Sequence, residues 1–173
     1  MDAEKRIALV GTPNVGKSVL FNALTQSYVT VSNYPGTTVE VSKGEMKVND
    51  WSLTIIDTPG MYSLVPITEE EQVTRELLLT TNLDLVLHVM DAKNLGRMLP
   101  MTLQLIEAGF PLLLVINMMD EAERFGLQIH PHVLEERLGI PVVLTTASRH
   151  QGIHELTQKV AHYVTALHVS SPY

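Results

Sequence analysis

The residues whose types and spacing most clearly suit a chemical function form one short stretch, residues 11–18. It reads GTPNVGKS and fits the pattern GxxxxGK followed by Ser or Thr. Gly11 and Gly16 lack a Cβ, so their backbone can bring N–H groups against phosphate oxygens. Lys17 supplies a positive charge for the β- and γ-phosphates of a nucleotide, and the Ser18 hydroxyl is a suitable ligand for Mg²⁺. The stretch predicts a phosphate-binding loop, called the P-loop below.

The flanking sequence has the order that this loop requires. A short apolar run, residues 7–10, is long enough for a buried strand, and the apolar spacing of residues 19–24 is typical of a helix. The competing interpretation, a glycine-rich turn with an incidental lysine, is disfavoured by this strand–loop–helix order. The predicted nucleotide-binding residues here are Gly11, Thr12, Pro13, Asn14, Val15, Gly16, Lys17, Ser18 and Val19.

A second motif, Asn117-Met118-Met119-Asp120, indicates which base is bound. Guanine presents two adjacent donors, N1–H and the N2 amino group, and the Asp120 carboxylate can accept from both. Adenine would leave that carboxylate unpaired, at a cost of about 1–3 kcal/mol. Asn117, at the end of a predicted strand, is placed to bridge the base and the P-loop. The motif therefore favours guanine, with Asn117, Met118 and Asp120 as base-binding residues.

A third motif, residues 57–60, reads DTPG. The Asp57 carboxylate is predicted to hold Mg²⁺ through water, and the Gly60 amide to sense the γ-phosphate. In the preceding loop, Thr38 is the best candidate for a hydroxyl that reaches Mg²⁺ only when the γ-phosphate is present, and Thr37 is its rival. Loss of that phosphate would release both loops, which is an order-to-disorder switch.

Segments with strand and helix patterns alternate along the chain. Predicted strands cover residues 7–10, 39–48, 52–57, 84–91, 111–117 and 141–145, and predicted helices cover 17–26, 69–79, 95–108, a short segment from 121, 131–139 and 153–166. Thr68 and Glu71 form a predicted capping box at the start of the second helix. Residues 27–37 have no clear period and contain a turn signal, so they are predicted as a mobile loop.

This alternation, with several strands continuously apolar, indicates a mostly parallel sheet covered on both faces. The hairpin of strands 39–48 and 52–57 would be antiparallel. With the motifs, the pattern predicts an α/β, Ras-like P-loop GTPase fold in three layers: a six-stranded, mostly parallel sheet with one antiparallel edge hairpin and helices on both faces. Residues 1–168 are predicted as the GTP-binding domain and residues 169–173 as a loose tail.

The composition narrows the class of protein. A chain of 173 residues with 45% hydrophobic and 18% charged residues is long and apolar enough for one globular domain. The absence of cysteine excludes disulfides and thiolate metal sites and fits a reducing cytosol. The longest apolar run, residues 110–116, is too short to cross a bilayer. A net charge of −7 argues against general binding of nucleic acid or anionic lipid.

Four segments resemble the G domain of the ferrous-iron transport protein B (FeoB) family, within a resemblance that extends from Ile7 to about Val164. They are residues 33–40 (NYPGTTVE), 57–64 (DTPGMYSL), 91–95 (DAKNL) and 117–123 (NMMDEAE). In addition, the segment after the last predicted strand resembles the loop whose amide receives the guanine O6 in GTPases. That resemblance adds three expected base-binding residues, Thr146, Ala147 and Ser148.

The FeoB resemblance implies a role and a location. The domain would bind GTP, hydrolyse it to GDP and phosphate, and drive or regulate Fe²⁺ uptake at the cytoplasmic face of the bacterial inner membrane. Its expected partners are the guanine nucleotide, a C-terminal transmembrane domain of the same longer polypeptide and other copies of that full-length protein, with no nucleic acid. This segment by itself is expected to be soluble in the cytosol.

The residue after the DTPG motif also bears on mechanism. Ras-type enzymes place a water-orienting Gln there, whereas this chain has Met61, which has no amide. FeoB resembles GTPases with a hydrophobic residue at this place, in which a potassium ion held by a loop Asn neutralises developing charge, and Asn14 matches that Asn. The competing interpretation of Asn14 is a turn residue.

The complete expected site follows from the motifs and the resemblance together. The expected metal ligands are Ser18, Thr38 and Asp57 for Mg²⁺ and Asn14 for K⁺, and the expected catalytic residues are Asn14, Lys17, Thr38 and Gly60.

Two other functions stay open at the level of sequence. One is a GTPase acting in ribosome assembly or tRNA modification, which shares the hydrophobic residue after DTPG. Such proteins usually carry basic RNA-facing surfaces, so the net charge of −7 disfavours this function. The other is a nucleotide-dependent regulatory switch whose output is the loop conformation and whose hydrolysis is slow.

Overall fold

The computed structural model describes residues 4–169, and for residues 27, 28 and 167–169 it describes the backbone alone. Its strands are β1 (Lys5–Val10), β2 (Ser27–Asn33), β3 (Glu40–Val48), β4 (Trp51–Asp57), β5 (Leu85–Asp91), β6 (Leu112–Asn117) and β7 (Val142–Leu144). Its helices are α1 (Lys17–Leu24), α2 (Glu69–Thr80), α3 (Leu95–Glu107), α4 (Met119–Arg124), α5 (Pro131–Leu138) and α6 (Ile153–Val169). Short 3₁₀ turns cover Ala92–Asn94 and Ala147–Arg149.

The strands form one sheet in the order β2-β3-β4-β1-β5-β6-β7. Strands β4, β1, β5, β6 and β7 run parallel to one another. Strand β3 pairs antiparallel with β4, as the predicted hairpin requires, and β2 pairs antiparallel with β3 at the edge. The predicted α/β, mostly parallel P-loop fold is confirmed, with seven strands where the sequence predicted six.

The additional strand lies in a segment that was predicted as a loop. The prediction of a loop over residues 27–37 is wrong for Ser27–Asn33, which form β2. Val29 and Val31 are 51% and 58% exposed, so their side chains provide no buried face. The backbone pairing with β3 stabilises this strand instead, and such pairing depends on tertiary structure that hydrophobic patterning does not report.

Alternate residues of the central strand β1 face opposite layers of helices. Ile7 and Leu9 pack with residues of α1 and α6, whereas Ala8 and Val10 pack with residues of α2 and α3. Strands β5 and β6 are buried throughout. The core therefore lies on both sides of the sheet, as the continuously apolar strands predicted.

The ends of the helices agree with the predicted caps but differ in some bounds. The Thr68 hydroxyl accepts from the Glu71 amide at 3.2 Å and the Glu71 carboxylate accepts from the Thr68 amide at 3.1 Å, which confirms the capping box. Helix α4 begins at Met119, so Asp120 lies in its first turn. Helix α6 extends to Val169, and residues 170–173 of the predicted tail lie outside the described residues.

None of the helices in the described part of the chain combines the length and the apolar character needed to span a bilayer.

Candidate nucleotide-binding site

The sequence motifs meet at the carboxyl edge of the parallel strands. In the register of the sheet, Leu9 of β1 lies beside Asp57 of β4, and Asp91 of β5 lies beside Asn117 of β6. These strands therefore end at the same edge, where the P-loop joins them after β1. Open α/β sheets bind their ligands at this edge.

The two P-loop glycines stand where a side chain would not fit. Gly16 has a φ of 79°, in the left-handed region, and a Cβ there would collide with the side-chain amide of Asn117. At Gly11 a Cβ would lie 2.5 Å from the carbonyl oxygen of Val89. Gly16 also precedes α1 and has no side chain to cap it, so the first N–H groups of the helix are left to bind an anion.

The P-loop lines a cavity of 290 Å³, called the phosphate cavity below. Its lining residues are Thr12, Pro13, Asn14, Gly16, Lys17, Ser18, Val19 and Gly60. Among the described residues, the Thr12 hydroxyl is the one buried side-chain polar atom without a hydrogen-bond partner. Gly11 and Val15 of the predicted set do not line this cavity. A buried hydroxyl and uncapped helix amides suit a ligand that is anionic and accepts hydrogen bonds.

Three of the predicted phosphate and metal ligands contact one another: Lys17 and Ser18 line this cavity, and both reach Asp57, which does not line it. The Lys17 ammonium lies 2.6 Å from Asp57 Oδ1 and also donates to the Thr58 carbonyl. The Ser18 hydroxyl donates to Asp57 Oδ2 at 3.4 Å. The Lys17 and Asp57 side chains are only 11% and 13% exposed. The ammonium thus neutralises a mostly buried carboxylate, and a phosphate group would offer Lys17 a second anionic partner.

The segment after β4 packs tightly against the P-loop. A Cβ on Gly60 would lie 2.7 Å from Pro13 Cγ, so only glycine allows this approach. The next residue, Met61, donates its amide to the Gly11 carbonyl at 2.9 Å and is fully buried beside Ala8 and Val10. Met61 therefore points into the core and presents no polar group to the phosphate cavity.

The loop between β2 and β3 separates the two candidate threonines. The Thr37 hydroxyl donates to the Tyr34 carbonyl at 2.9 Å and accepts from the Val39 amide at 3.1 Å, so it is engaged inside the loop. Thr38 is exposed, and it does not line the phosphate cavity. The structure thus brings Lys17, Ser18 and Asp57 together and leaves Thr38 apart from them.

The Asn117 side chain connects the P-loop with the segment after β7. Its Nδ2 donates to the Val15 carbonyl at 3.0 Å. Its Oδ1 accepts from the Thr145 hydroxyl at 2.9 Å and from the Ala147 amide at 3.0 Å. Asn117 was predicted to bridge the base and the P-loop, and in the structure it bridges two loops. Thr145 lies in none of the sequence motifs, and its hydroxyl donates to the oxygen of this side-chain amide.

A second cavity of 160 Å³, called the base cavity below, lies next to Asn117. It is lined by Gly16, Val19, Asn117, Met118, Asp120, Glu121, Thr146, Ala147 and Ser148. All the residues predicted to bind guanine are therefore brought together. The base and phosphate cavities share Gly16 and Val19, so one elongated ligand can reach from Asp120 to Lys17.

One contact in this region was not predicted. Arg149 ends the 3₁₀ turn after β7, and its Nη2 lies 3.6 Å from Asp120 Oδ2. The sequence gives no signal for the pair, because the two residues belong to different loops that the fold brings together.

Glu71 is a second residue whose role the sequence shows only in part. Besides the capping box, its two carboxylate oxygens accept from the amides of Tyr62 at 3.1 Å and Ile67 at 2.7 Å. The Ile67 hydrogen bond lowers the pKa of the Glu71 carboxyl below its usual value, although burial opposes this. Glu71 thus fixes the backbone of the segment between Gly60 and α2.

We expect Glu71→Gln to lower the free energy of unfolding by about 1–2 kcal/mol, since one amide oxygen cannot replace two carboxylate oxygens. Because folding lowers this pKa, the carboxylate stabilises the fold fully above pH 4.5 and loses this effect as the pH falls through the folded value. In thermal unfolding, the difference in stability between the unmodified protein and Glu71→Gln should therefore shrink as the pH falls below 4.5. Exposed Glu70→Gln is the matched control, and an equal loss there would contradict this role.

Comparison with known proteins shows the family of this chain. A family model described as "Ferrous iron transport protein B" matches residues 5–160. The chain belongs to the FeoB family. The Fe(2+) transporter FeoB of Escherichia coli (strain K12) is 39% identical over 96% of this chain, which spans 23% of that relative's length.

Solved FeoB structures share the fold. The G domain of the T. maritima FeoB iron transporter is 37% identical, with a TM-score of 0.86 over 93% of this chain and 99% of that one. The cytosolic domain of the same transporter in a GDP form is 36% identical, with a TM-score of 0.88 over 94% of this chain and 64% of that one. The chain is thus a GTPase-fold domain of the FeoB type, which favours the transporter interpretation over ribosome assembly or tRNA modification.

Proposed function

We propose that this domain binds GTP together with Mg²⁺ and hydrolyses it to GDP and phosphate. The observation that carries the proposal is that the base cavity and the phosphate cavity meet at Gly16 and Val19. One end offers the Asp120 carboxylate and the other offers the Lys17 ammonium with uncapped helix amides. A guanine nucleotide has the matching groups, two adjacent donors on its base and an anionic tail.

Residues of this chain would have separate roles in phosphate binding and hydrolysis. Lys17 would exchange Asp57 for phosphate oxygens as the nucleotide binds, and the amides at the start of α1 would add further donors. The Gly60 amide, held against Pro13, would report the presence of the γ-phosphate. Because Met61 is buried in the core, backbone groups would have to position the attacking water.

The residues at the phosphate end also fit the expected metal ions. Ser18 and Asp57 offer the oxygen ligands that Mg²⁺ prefers, and Thr38 would add its hydroxyl from the loop before β3. Asn14, with a φ of 65°, lines the same cavity and would hold K⁺ through its amide oxygen. When bound, the two cations would supply positive charge for the phosphates in the transition state.

We further propose that GTP binding and hydrolysis here serve Fe²⁺ uptake by a longer protein. Support comes from the E. coli relative, whose name is Fe(2+) transporter FeoB and of which this chain spans 23%. In that arrangement the domain would lie at the cytoplasmic face of the inner membrane, next to a C-terminal transmembrane domain. Other copies would be contacted through the full-length protein.

One observation favours a second candidate, a nucleotide-dependent switch with slow hydrolysis. The buried Met61 takes the place at which other GTPases orient water with a side-chain amide. The hydrolysis rate in potassium decides between a turnover enzyme and such a switch.

The test is single-turnover GTP hydrolysis by this chain in KCl and in NaCl. We expect faster hydrolysis in KCl, and Asn14→Ala should slow it by about 100- to 1,000-fold, as removal of one charge-stabilising group does elsewhere. Asn49→Ala is the matched control, because Asn49 is exposed and has a positive φ, 52°, as Asn14 does, but it lies in the β3–β4 turn and lines neither cavity. Equal rates in both salts, or equal losses in both variants, would contradict potassium assistance, and slow hydrolysis in KCl would favour the switch.

A further inference from the structure

The ion pair between Arg149 and Asp120 has a geometry that suits control of base recognition. Asp120 lines the base cavity, but Arg149 does not, so the guanidinium approaches the carboxylate from outside. The Asp120 side chain is 17% exposed and that of Arg149 is 54% exposed. Within residues 4–169, Arg149 is the one cation that pairs with this carboxylate.

The neighbouring charges are engaged elsewhere. Glu121, which follows Asp120 and also lines the base cavity, pairs with Lys93, and Lys93 in turn pairs with Asp91 at 3.0 Å. Met118 and Met119 bring no charge. Two adjacent carboxylates at the start of α4 are thus each matched by a cation from a different loop, Lys93 for Glu121 and Arg149 for Asp120.

We propose that Arg149 is a specificity-determining positioning residue for guanine, an inference that rests on the proposed function. A carboxylate rotates easily about its last bond, since that torsion has a broad energy profile. Guanine needs both oxygens in the plane of its N1–H and N2 amino donors, whereas one correctly placed oxygen suffices for a base with a single donor there. By attracting Oδ2 from outside the cavity, Arg149 holds the carboxylate in the orientation that reads both donors.

The test compares guanosine diphosphate with inosine diphosphate, which lacks the N2 amino group. Calorimetry on Arg149→Gln should show the preference for GDP over IDP falling by about two- to fivefold, the range of a partly exposed ion pair. Arg149→Lys should keep most of the preference. Arg124→Gln is the control, since Arg124 is an exposed cation of α4 that lines neither cavity.

A second arm separates a direct effect on Asp120 from an effect on the loop. In an Asp120→Asn background tested with xanthosine diphosphate, the carboxylate is gone, so Arg149→Gln should change the affinity no more than Arg124→Gln does. A loss of affinity in this background would show that Arg149 merely shapes the loop, and the proposal would be wrong.

The other outcomes are equally decisive. Equal losses for GDP and IDP would assign Arg149 a structural role, and tighter GDP binding in Arg149→Gln would mean that Arg149 competes with the base. Either result would contradict the proposal that Arg149 positions the Asp120 carboxylate. If the unmodified chain binds adenosine diphosphate as tightly as GDP, the guanine-binding function itself fails, and that failure is visible before any variant is made.

Discussion

Replacing Asp120 with Asn should move the base preference of this site from guanine to xanthine. Xanthine has a carbonyl where guanine has its N2 amino group, so an amide can donate to that carbonyl while accepting from N1–H. Guanine would instead place its amino group against the Asn amide nitrogen, leaving a buried donor unpaired at a cost of about 3 kcal/mol. We expect the affinity for GDP to fall by about 100-fold and that for xanthosine diphosphate to rise, measured by calorimetry.

Glu123→Gln is the matched control for this change. It removes the same charge from α4, but Glu123 is exposed and lines neither cavity. Its GDP affinity should be that of the unmodified chain. If Asp120→Asn lowers the affinity for GDP without raising the affinity for xanthosine diphosphate, then Asp120 stabilises the site without recognising the base.

The second large effect is expected at Lys17. Lys17→Met keeps much of the length of the side chain but removes the charge, so phosphate binding loses its ammonium partner. We expect single-turnover hydrolysis to fall by at least about 100-fold. The change also leaves the mostly buried Asp57 carboxylate without its cation, so the free energy of unfolding should fall by about 1–3 kcal/mol.

Two controls separate these effects. Lys5→Met breaks a comparable ion pair, Lys5–Asp84 at 2.8 Å with 13% and 16% exposed side chains, at the other end of the sheet. It should destabilise the fold without changing the rate of the folded protein. The double variant Lys17→Met with Asp57→Asn should recover stability in thermal unfolding, because it leaves no unpaired carboxylate. If Lys5→Met slowed hydrolysis as much as Lys17→Met does, the loss of rate would follow from lost stability and would contradict a role for Lys17 on the phosphates.

Much of the fold could be predicted because its signals are local. Strands β5 and β6 are mostly apolar and are buried on both faces, and the Thr68 capping box follows from two residues three positions apart. Strand β2 was not predicted because Val29 and Val31 are exposed and form no buried face. Its stability comes from pairing with β3.

In the candidate site too, residues identified by local sequence signals could be predicted, and residues that act through long-range contacts could not. Residues fixed by a motif, such as Lys17, Asp57 and Asp120, could be predicted because their spacing encodes the chemistry. Arg149 and Thr145 could not, because each acts through a contact with a residue about 30 positions away. The folded loop uses the Thr37 hydroxyl for its own backbone, a contact that residue spacing does not report, and Thr38 as a Mg²⁺ ligand stays a prediction.

The amide of Asn117 restrains the P-loop and the loop after β7 at once, through Val15 on one side and Ala147 on the other. Ordering either loop on a ligand therefore reduces the conformational entropy that the other loop still has to lose. We therefore expect purine and phosphates to be recognised cooperatively, as in a chelate. A free nucleoside, or pyrophosphate alone, would gain only a small share of the affinity that the intact nucleotide obtains by spanning both cavities.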